Sequence, residues 1–194
     1  LEVEDLAILH RKFKNVRSVK EATADLERMA KTRSLLGEDF DILSGDDDKT
    51  FDMMTRQDIR ASGVVSVMSN IVPGPIGELV KAIRNGNMMK ANRLKDVLDP
   101  LFKTVTVNTV ESYEGFEVPA KFRNPLGIKT MMKGLGIPSG HCRPPLGKMT
   151  PKGVEIVRNA LKMVYEKDKE VLRPIQDFYR INIEERLSND KYWK

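Results

Sequence analysis

The sequence holds a single cysteine, Cys142, in 194 residues. It cannot close an internal disulfide, so a disulfide framework is excluded and a reducing, cytoplasmic setting is expected. Aromatic residues are also sparse, at 6%. A nucleic-acid footprint would want a basic stripe with interleaved aromatics. The 33 Lys and Arg against 28 Asp and Glu, net +5, read instead as an interspersed, solvated surface. No run approaches the roughly 18 apolar residues of a membrane span. The N-terminus reads as an acidic amphipathic segment rather than a leader peptide. Low-complexity tracts are missing, and with 40% hydrophobic residues, 13 Gly and 10 Pro the composition is that of an ordinary globular chain.

What is present alternates. Val3, Leu6, Leu9 and Phe13 form a helical stripe from the start, which predicts that the chain begins inside a fold. A β-branched run, Val16 to Lys20, precedes a helix capped by Asp25, carrying Leu26, Met29 and Ala30 and stopping at Gly37. Phe40 to Ser44 is a second strand, leading through Gly45-Asp46-Asp47-Asp48 into a polar helix over about 50–59. Val64 to Met68 is the third strand, followed by a helix with Ile76, Leu79, Val80 and Ile83 that closes at Asn85-Gly86. Strands alternating with helices at this spacing predict βαβ units and a parallel sheet. Beyond them the pattern predicts helices at about 88–103, at 125–135 with Asn124 as cap and Pro125 first, from Thr150-Pro151 onward, and at 174–188. A loop is expected over 106–121. Three strands cannot close a barrel, so the sheet is expected to be completed by another chain or by more of a larger protein.

Several residues carry candidate chemistry. Lys20 ends the first strand, and the carboxyl end of a parallel strand is where such folds place their sites. Desolvation there favours the neutral amine, which can attack a carbonyl to form a Schiff base. A lysine extending into solvent from a strand end fits the same spacing. Gly45-Asp46-Asp47-Asp48 suits either an acidic metal loop or a turn whose carboxylates cap the next helix. His141-Cys142 lacks the spaced partners of a metal site and reads as a loop His beside a buried Cys. His10 is assigned no role. The methionine pairs 53–54, 88–89 and 131–132 are expected to fill a helical core.

Four segments, taken together, resemble one family: Lys20-Glu21-Ala22-Thr23 with Asp25-Leu26, Leu43-Ser44-Gly45-Asp46-Asp47, Gly63-Val64-Val65-Ser66-Val67 with Asn70, and Asn124-Pro125 with Lys129 and Leu135-Gly136. In this order they are similar to the carboxyl-terminal half of the pyruvate-dependent Schiff-base aldolases, the family of dihydrodipicolinate synthase and N-acetylneuraminate lyase. The match runs over about residues 6–165, and Arg143-Pro144-Pro145-Leu146 resembles the family's late turn.

The resemblance implies a (β/α)8 barrel with a carboxyl-terminal helical domain, this chain supplying strands six to eight. Residues 1–86 would belong to the barrel, 87–169 to the helical domain and 170–194 to a charged helical tail. Lys20 would be the imine-forming lysine, with the Gly45 backbone and the Val65 carbonyl lining its pocket. The reaction implied is condensation of pyruvate with aspartate semialdehyde in lysine biosynthesis, without a cofactor or metal. The expected partners are small molecules and further copies in a homodimer or homotetramer, with neither nucleic acid nor membrane. A sugar-acid aldolase or dehydratase of the same family, or a non-catalytic half-barrel scaffold, is the alternative. The family's loop threonines, relay tyrosine and carboxylate-binding arginine would lie upstream, and Tyr113, Tyr165 and Tyr179 match none of its motifs. As a lone chain the protein is expected to be inactive.

Overall fold

Three short parallel strands, each followed by a helical segment, organise the first part of the chain. The computed structural model describes all residues, 1–194. Helix α1 (Val3–Lys12) buries Val3, Leu6 and Ala7, and its C-cap is Phe13, in extended backbone and half-exposed. Phe13 therefore leaves the predicted stripe, because the helix has ended when the chain reaches it. Strand β1 (Ser18–Glu21) pairs in parallel with β2 (Asp41–Ser44), Lys20 opposite Leu43, and β2 pairs with β3 (Gly63–Val64), Ser44 opposite Val64.

Between β1 and β2 lies α2 (Leu26–Leu36). Asp25 caps it by accepting from the N–H groups of Glu27 and Arg28, both at 3.0 Å, and Gly37 ends it at φ +81°, where a side chain would be strained. Its buried Arg33 holds the turn beyond by donating to the carbonyls of Gly37, Phe40 and Ile59 at 2.7, 2.6 and 2.9 Å. Met29, Phe40, Ile42, Met53 and Ile59, nearly inaccessible, form the centre of this core.

Two predicted elements are shorter than expected. Strand β3 stops at Val64: the Val65 N–H still bonds Ser44 O at 2.8 Å, but the Val67 N–H turns to the Asp47 carboxylate at 3.0 Å. The polar helix is a 3-10 turn at Asp47–Lys49 followed by α3 (Thr50–Thr55), and the Ala61 N–H folds back to Met53 O, ending the run well before Ile59.

The chain divides into two compact units, residues 1–67 with 77–95, and residues 68–76 with 96–194. Helices α4 (Pro73–Arg84) and α5 (Met88–Phe102) run through the points of division. Asn85-Gly86 separates them, with Gly86 at φ +70° as expected. Met88 and Met89 are exposed at the start of α5, unlike the buried Met53, Met54 and Met131.

In the second unit the expected loop at 106–121 is instead an antiparallel hairpin, β4 (Val107–Tyr113) and β5 (Phe116–Phe122), closed by Glu114 and Gly115 at φ +50° and +85°. Helix α6 (Leu126–Leu135) starts one residue later than predicted. Pro125 occupies the cap position, and the first ladder bond runs from Lys129 N–H to Pro125 O at 3.0 Å. Helix α7 (Pro151–Lys167) is capped by Thr150, whose hydroxyl accepts from Gly153 N–H, and buries Val157, Leu161 and Val164, with Val154 only half-buried. The predicted helix at 174–188 is two, α8 (Arg173–Tyr179) and α9 (Ile183–Ser188), because Arg180 turns left-handed at φ +52° and Asn182 caps the second piece. Trp193 then packs against Gly134 and donates its indole N–H to Arg186 O at 2.7 Å. No helix is long and apolar enough to cross a membrane.

Candidate active site

The parallel register levels the carboxyl ends of β1, β2 and β3, and thereby gathers Lys20, Gly45 and Val65 within the first unit. Alternation along β1 sends Lys20 and Glu21 to opposite faces. Glu21 is buried, accepts from Ala22 N–H at 3.1 Å and lies 3.4 Å from the Arg28 guanidinium. Lys20 is exposed, contrary to the desolvated position expected of it, because β1 is the edge of a three-stranded sheet rather than a covered interior strand.

Its stem lies over Gly45. A methyl group placed there would stand 2.9 Å from Lys20 Cε, 2.6 Å from Ala22 Cβ and 3.0 Å from Glu21 O. Any side chain there would force the end of β1 or the loop to shift, and the Gly45 N–H extends the β1–β2 ladder to Glu21 O at 2.7 Å. Val65 is 45% exposed, with its N–H occupied by Ser44 O.

Two of the three aspartates after Gly45 do something that neither expectation contained. Asp46 accepts from Ala24 N–H at 2.8 Å, across to the loop after β1, where Ala24 sits left-handed at φ +58°. Asp47, buried, accepts from Val67 N–H at 3.0 Å in the segment after β3. Two adjacent carboxylates thus staple the loop after β2 to the loops on either side. Neither caps the helix that follows; Asp46 is the N-cap residue of the 3-10 turn but makes no side-chain bond to it. Inside the loop, the buried Ser44 and Thr50 hydroxyls lie 3.0 Å apart, each close to Asp46 O, at 2.9 and 3.0 Å. Burial pushes the Asp46 carboxyl above its ordinary value. The charges of Asp48 and Glu21 add to this, while the Ala24 N–H and the Lys20 charge oppose it.

Elsewhere, His10 donates its Nδ1–H to Val16 O at 2.6 Å and meets Phe40 edge-on, which fixes the turn into β1. His141 and Cys142 lie in the loop before α7, Cys142 half-buried rather than buried. All four tyrosines follow residue 112, so the first unit contains none.

Chemically, this is an α/β chain of parallel βα units that presents a primary amine, a glycine cradle and tied-down carboxylates at its strand ends. Comparison with known proteins names the group: the dihydrodipicolinate synthetase family profile matches residues 1–164, and the chain belongs to that family. A 4-hydroxy-tetrahydrodipicolinate synthase of a Thermoanaerobacter species is 33% identical over 147 residues, covering 76% of this chain and 44% of that protein. The solved 4-hydroxy-tetrahydrodipicolinate synthase of Methylacidiphilum fumariolicum superposes with TM-score 0.73 at 30% identity, over 89% of this chain and 52% of the other. The dihydrodipicolinate synthase of Aquifex aeolicus gives TM-score 0.70 at 29% identity, over 88% and 51%. The chain therefore spans about half the length of these relatives, and residues 165–194 lie beyond the family match.

Proposed function

We propose that this chain forms the carboxyl-terminal part of a pyruvate-dependent Schiff-base lyase, with Lys20 as nucleophile. The observation that carries the reading is the close approach of Lys20 to Gly45 at the level ends of β1 and β2. In the full barrel these strands would be the sixth to eighth of eight, with residues 87–169 as the helical domain and 170–194 as a tail. The assembly expected is a homodimer or homotetramer.

In the reaction, the neutral Lys20 amine adds to the keto carbon of pyruvate, and the carbinolamine loses water to give a protonated imine. The imine draws electrons from the neighbouring methyl group, which loses a proton to give an enamine. The enamine carbon then bonds the carbonyl carbon of an aldehyde, and hydrolysis returns the free amine. Gly45 leaves space for the lysine stem and Val65 borders the same strand ends. The names of the relatives favour aspartate semialdehyde as the aldehyde and lysine biosynthesis as the setting.

Incubation of the complete enzyme with pyruvate and borohydride, followed by intact mass and peptide mapping, tests this. The expected result is a single reduced adduct on Lys20, lost in Lys20→Ala. An adduct elsewhere, or an unchanged turnover of the complete enzyme carrying Lys20→Ala, overturns it.

A further inference from the structure

Asparagines are spread along the whole chain, and Asn85 alone is followed by glycine. An asparagine side chain and the next backbone nitrogen are spaced to close a five-membered ring, and glycine, lacking a Cβ, leaves that approach open. Asn85 and Gly86 are both exposed, in the joint between α4 and α5, and no hydrogen bond or ion pair engages the Asn85 side chain. Nothing lies within 4 Å of where a Gly86 Cβ would stand, and Gly86 is left-handed at φ +70°.

Other asparagines are held or blocked. Asn87, Asn182 and Asn189 are tied down as acceptors of main-chain N–H groups at 3.1, 2.9 and 3.1 Å, and Asn124 precedes Pro125, which has no N–H to react. What restrains Asn85 is its own main chain. The Gly86 N–H donates to Ile83 O at 3.0 Å and the Asn87 N–H to Ala82 O at 2.9 Å, the closing bonds of α4. Both lie at a helix end open to water, where such bonds break and re-form at little cost.

We propose that Asn85 is a site of spontaneous deamidation in the folded protein, converting to aspartate and isoaspartate. When the end of α4 opens, the Gly86 nitrogen loses its proton to solvent base and attacks Asn85 Cγ. The new N–Cγ bond replaces the Cγ–Nδ2 bond, and the amide leaves as ammonia. One water then opens the cyclic imide, with nothing oxidised or reduced. Opening at Cγ gives aspartate on the original chain path; opening at the main-chain carbonyl gives isoaspartate, whose chain runs through the former side chain and is one carbon longer. The longer chain cannot keep both closing bonds of α4, and Ile83, two residues earlier, packs on the core of the first unit. Either product also sets a carboxylate at a helix C-terminus, which disfavours negative charge. The site stands independently of the Schiff-base reading.

The test is incubation of the complete folded enzyme at pH 7, 8 and 9, beside a free peptide of residues 81–90, with peptide mapping by mass spectrometry that separates aspartyl from isoaspartyl products. Asn85 is expected to convert before every other asparagine, to both products, at a rate that rises about tenfold per pH unit, as the ionised fraction of so weak an acid does. The folded enzyme should react within about tenfold of the peptide, the fold-change that opening a helix end entails. Asn85→Gln, whose imide would need a six-membered ring, should keep the melting curve and lose the reaction. The proposal is overturned if another asparagine converts first, if aspartate forms without isoaspartate, if the folded enzyme lags the peptide by more than that factor, or if Asn85→Gln gains acidic forms as fast as the unaltered enzyme.

Discussion

Replacing Gly45 with Ala tests the geometry of the candidate site at its tightest point. The added methyl would sit 2.6 Å from Ala22 Cβ and 2.9 Å from Lys20 Cε, against the roughly 3.5–4.0 Å of a comfortable carbon contact. The Lys20 stem can swing away, but Ala22 Cβ and Glu21 O, the latter at 3.0 Å, belong to a strand end that the Gly45 N–H itself holds. About 1 Å of separation must therefore come from moving the end of β1 or the loop after β2. Overpacking of this kind costs about 1–3 kcal/mol, and the smaller entropy of the unfolded Ala chain returns about 0.4–1 kcal/mol. The difference, up to about 2.6 kcal/mol and centred near about 1.3 kcal/mol, lowers the melting temperature of a chain this size by roughly 3–5 °C at that centre. Gly77→Ala is the matching control: nothing lies within 4 Å of the added methyl, and it falls inside α4, where Ala exceeds Gly by about 1 kcal/mol. Calorimetry should thus find shifts of opposite sign, and borohydride trapping of pyruvate should fall in Gly45→Ala only. Equal melting temperatures for Gly45→Ala and the unaltered chain would refute the close approach itself, whatever the trapping shows.

Three further outcomes follow from other contacts. Gly134→Ala would place a methyl 2.5 Å from the Trp193 ring, so the only tryptophan must leave its seat; a red-shifted fluorescence maximum and a loss of about 1–3 kcal/mol in urea are expected. Arg33→Ala strips donors from buried carbonyls including those of Phe40 and Ile59, and chemical denaturation should show a loss of about 3–5 kcal/mol, only partly restored by Lys, which lacks the planar fork. Asp46 is raised in the folded protein, so its ionised form opposes folding, and that penalty appears as pH climbs from 3.8 through the higher folded value. Urea midpoints should therefore favour Asp46→Asn over the unaltered chain at pH 7, with the advantage gone at pH 3.

Much of the first unit could be read from residue order. Asp25 and Gly37 bracket α2 through a side-chain acceptor and a left-handed turn, both local requirements that leave a plain mark. The segment Val64 to Met68 looked like a full strand because β-branched residues fit one; the aspartate that takes the Val67 N–H away lies 20 residues earlier, and no local pattern records it. The hairpin is only half legible. Val105 to Val110 is β-branched at every position but Asn108, yet most of β4 and β5 is exposed, so the apolar alternation that marks a half-buried strand is absent. The break at Arg180 carries no such mark, being a left-handed arginine where glycine or asparagine would have announced it. At the site, the strand end marked Lys20 as a candidate and the family resemblance implied its role and those of Gly45 and Val65, whereas the stapling by Asp46 and Asp47 is a long-range pairing that only coordinates display. The exposure of Lys20 follows from the edge position of β1, which depends on how many strands the sheet has rather than on its neighbours in sequence.

Placing the amine on one strand and its cradle on the next separates two things that natural variation can alter independently. The position of Lys20 is set by main-chain pairing, through Gly45 N–H and Glu21 O, and no side chain at 46–48 takes part in that bond. Of the side chains in the same loop, Asp46 feels the Lys20 charge, Asp47 is buried against the Val67 N–H and Asp48 is exposed. In the proposed lyase, exchanging the exposed Asp48 would alter what is admitted beside Lys20 while the main-chain bond that seats the amine is kept, so the choice of partner and the place of the nucleophile could drift apart in small steps.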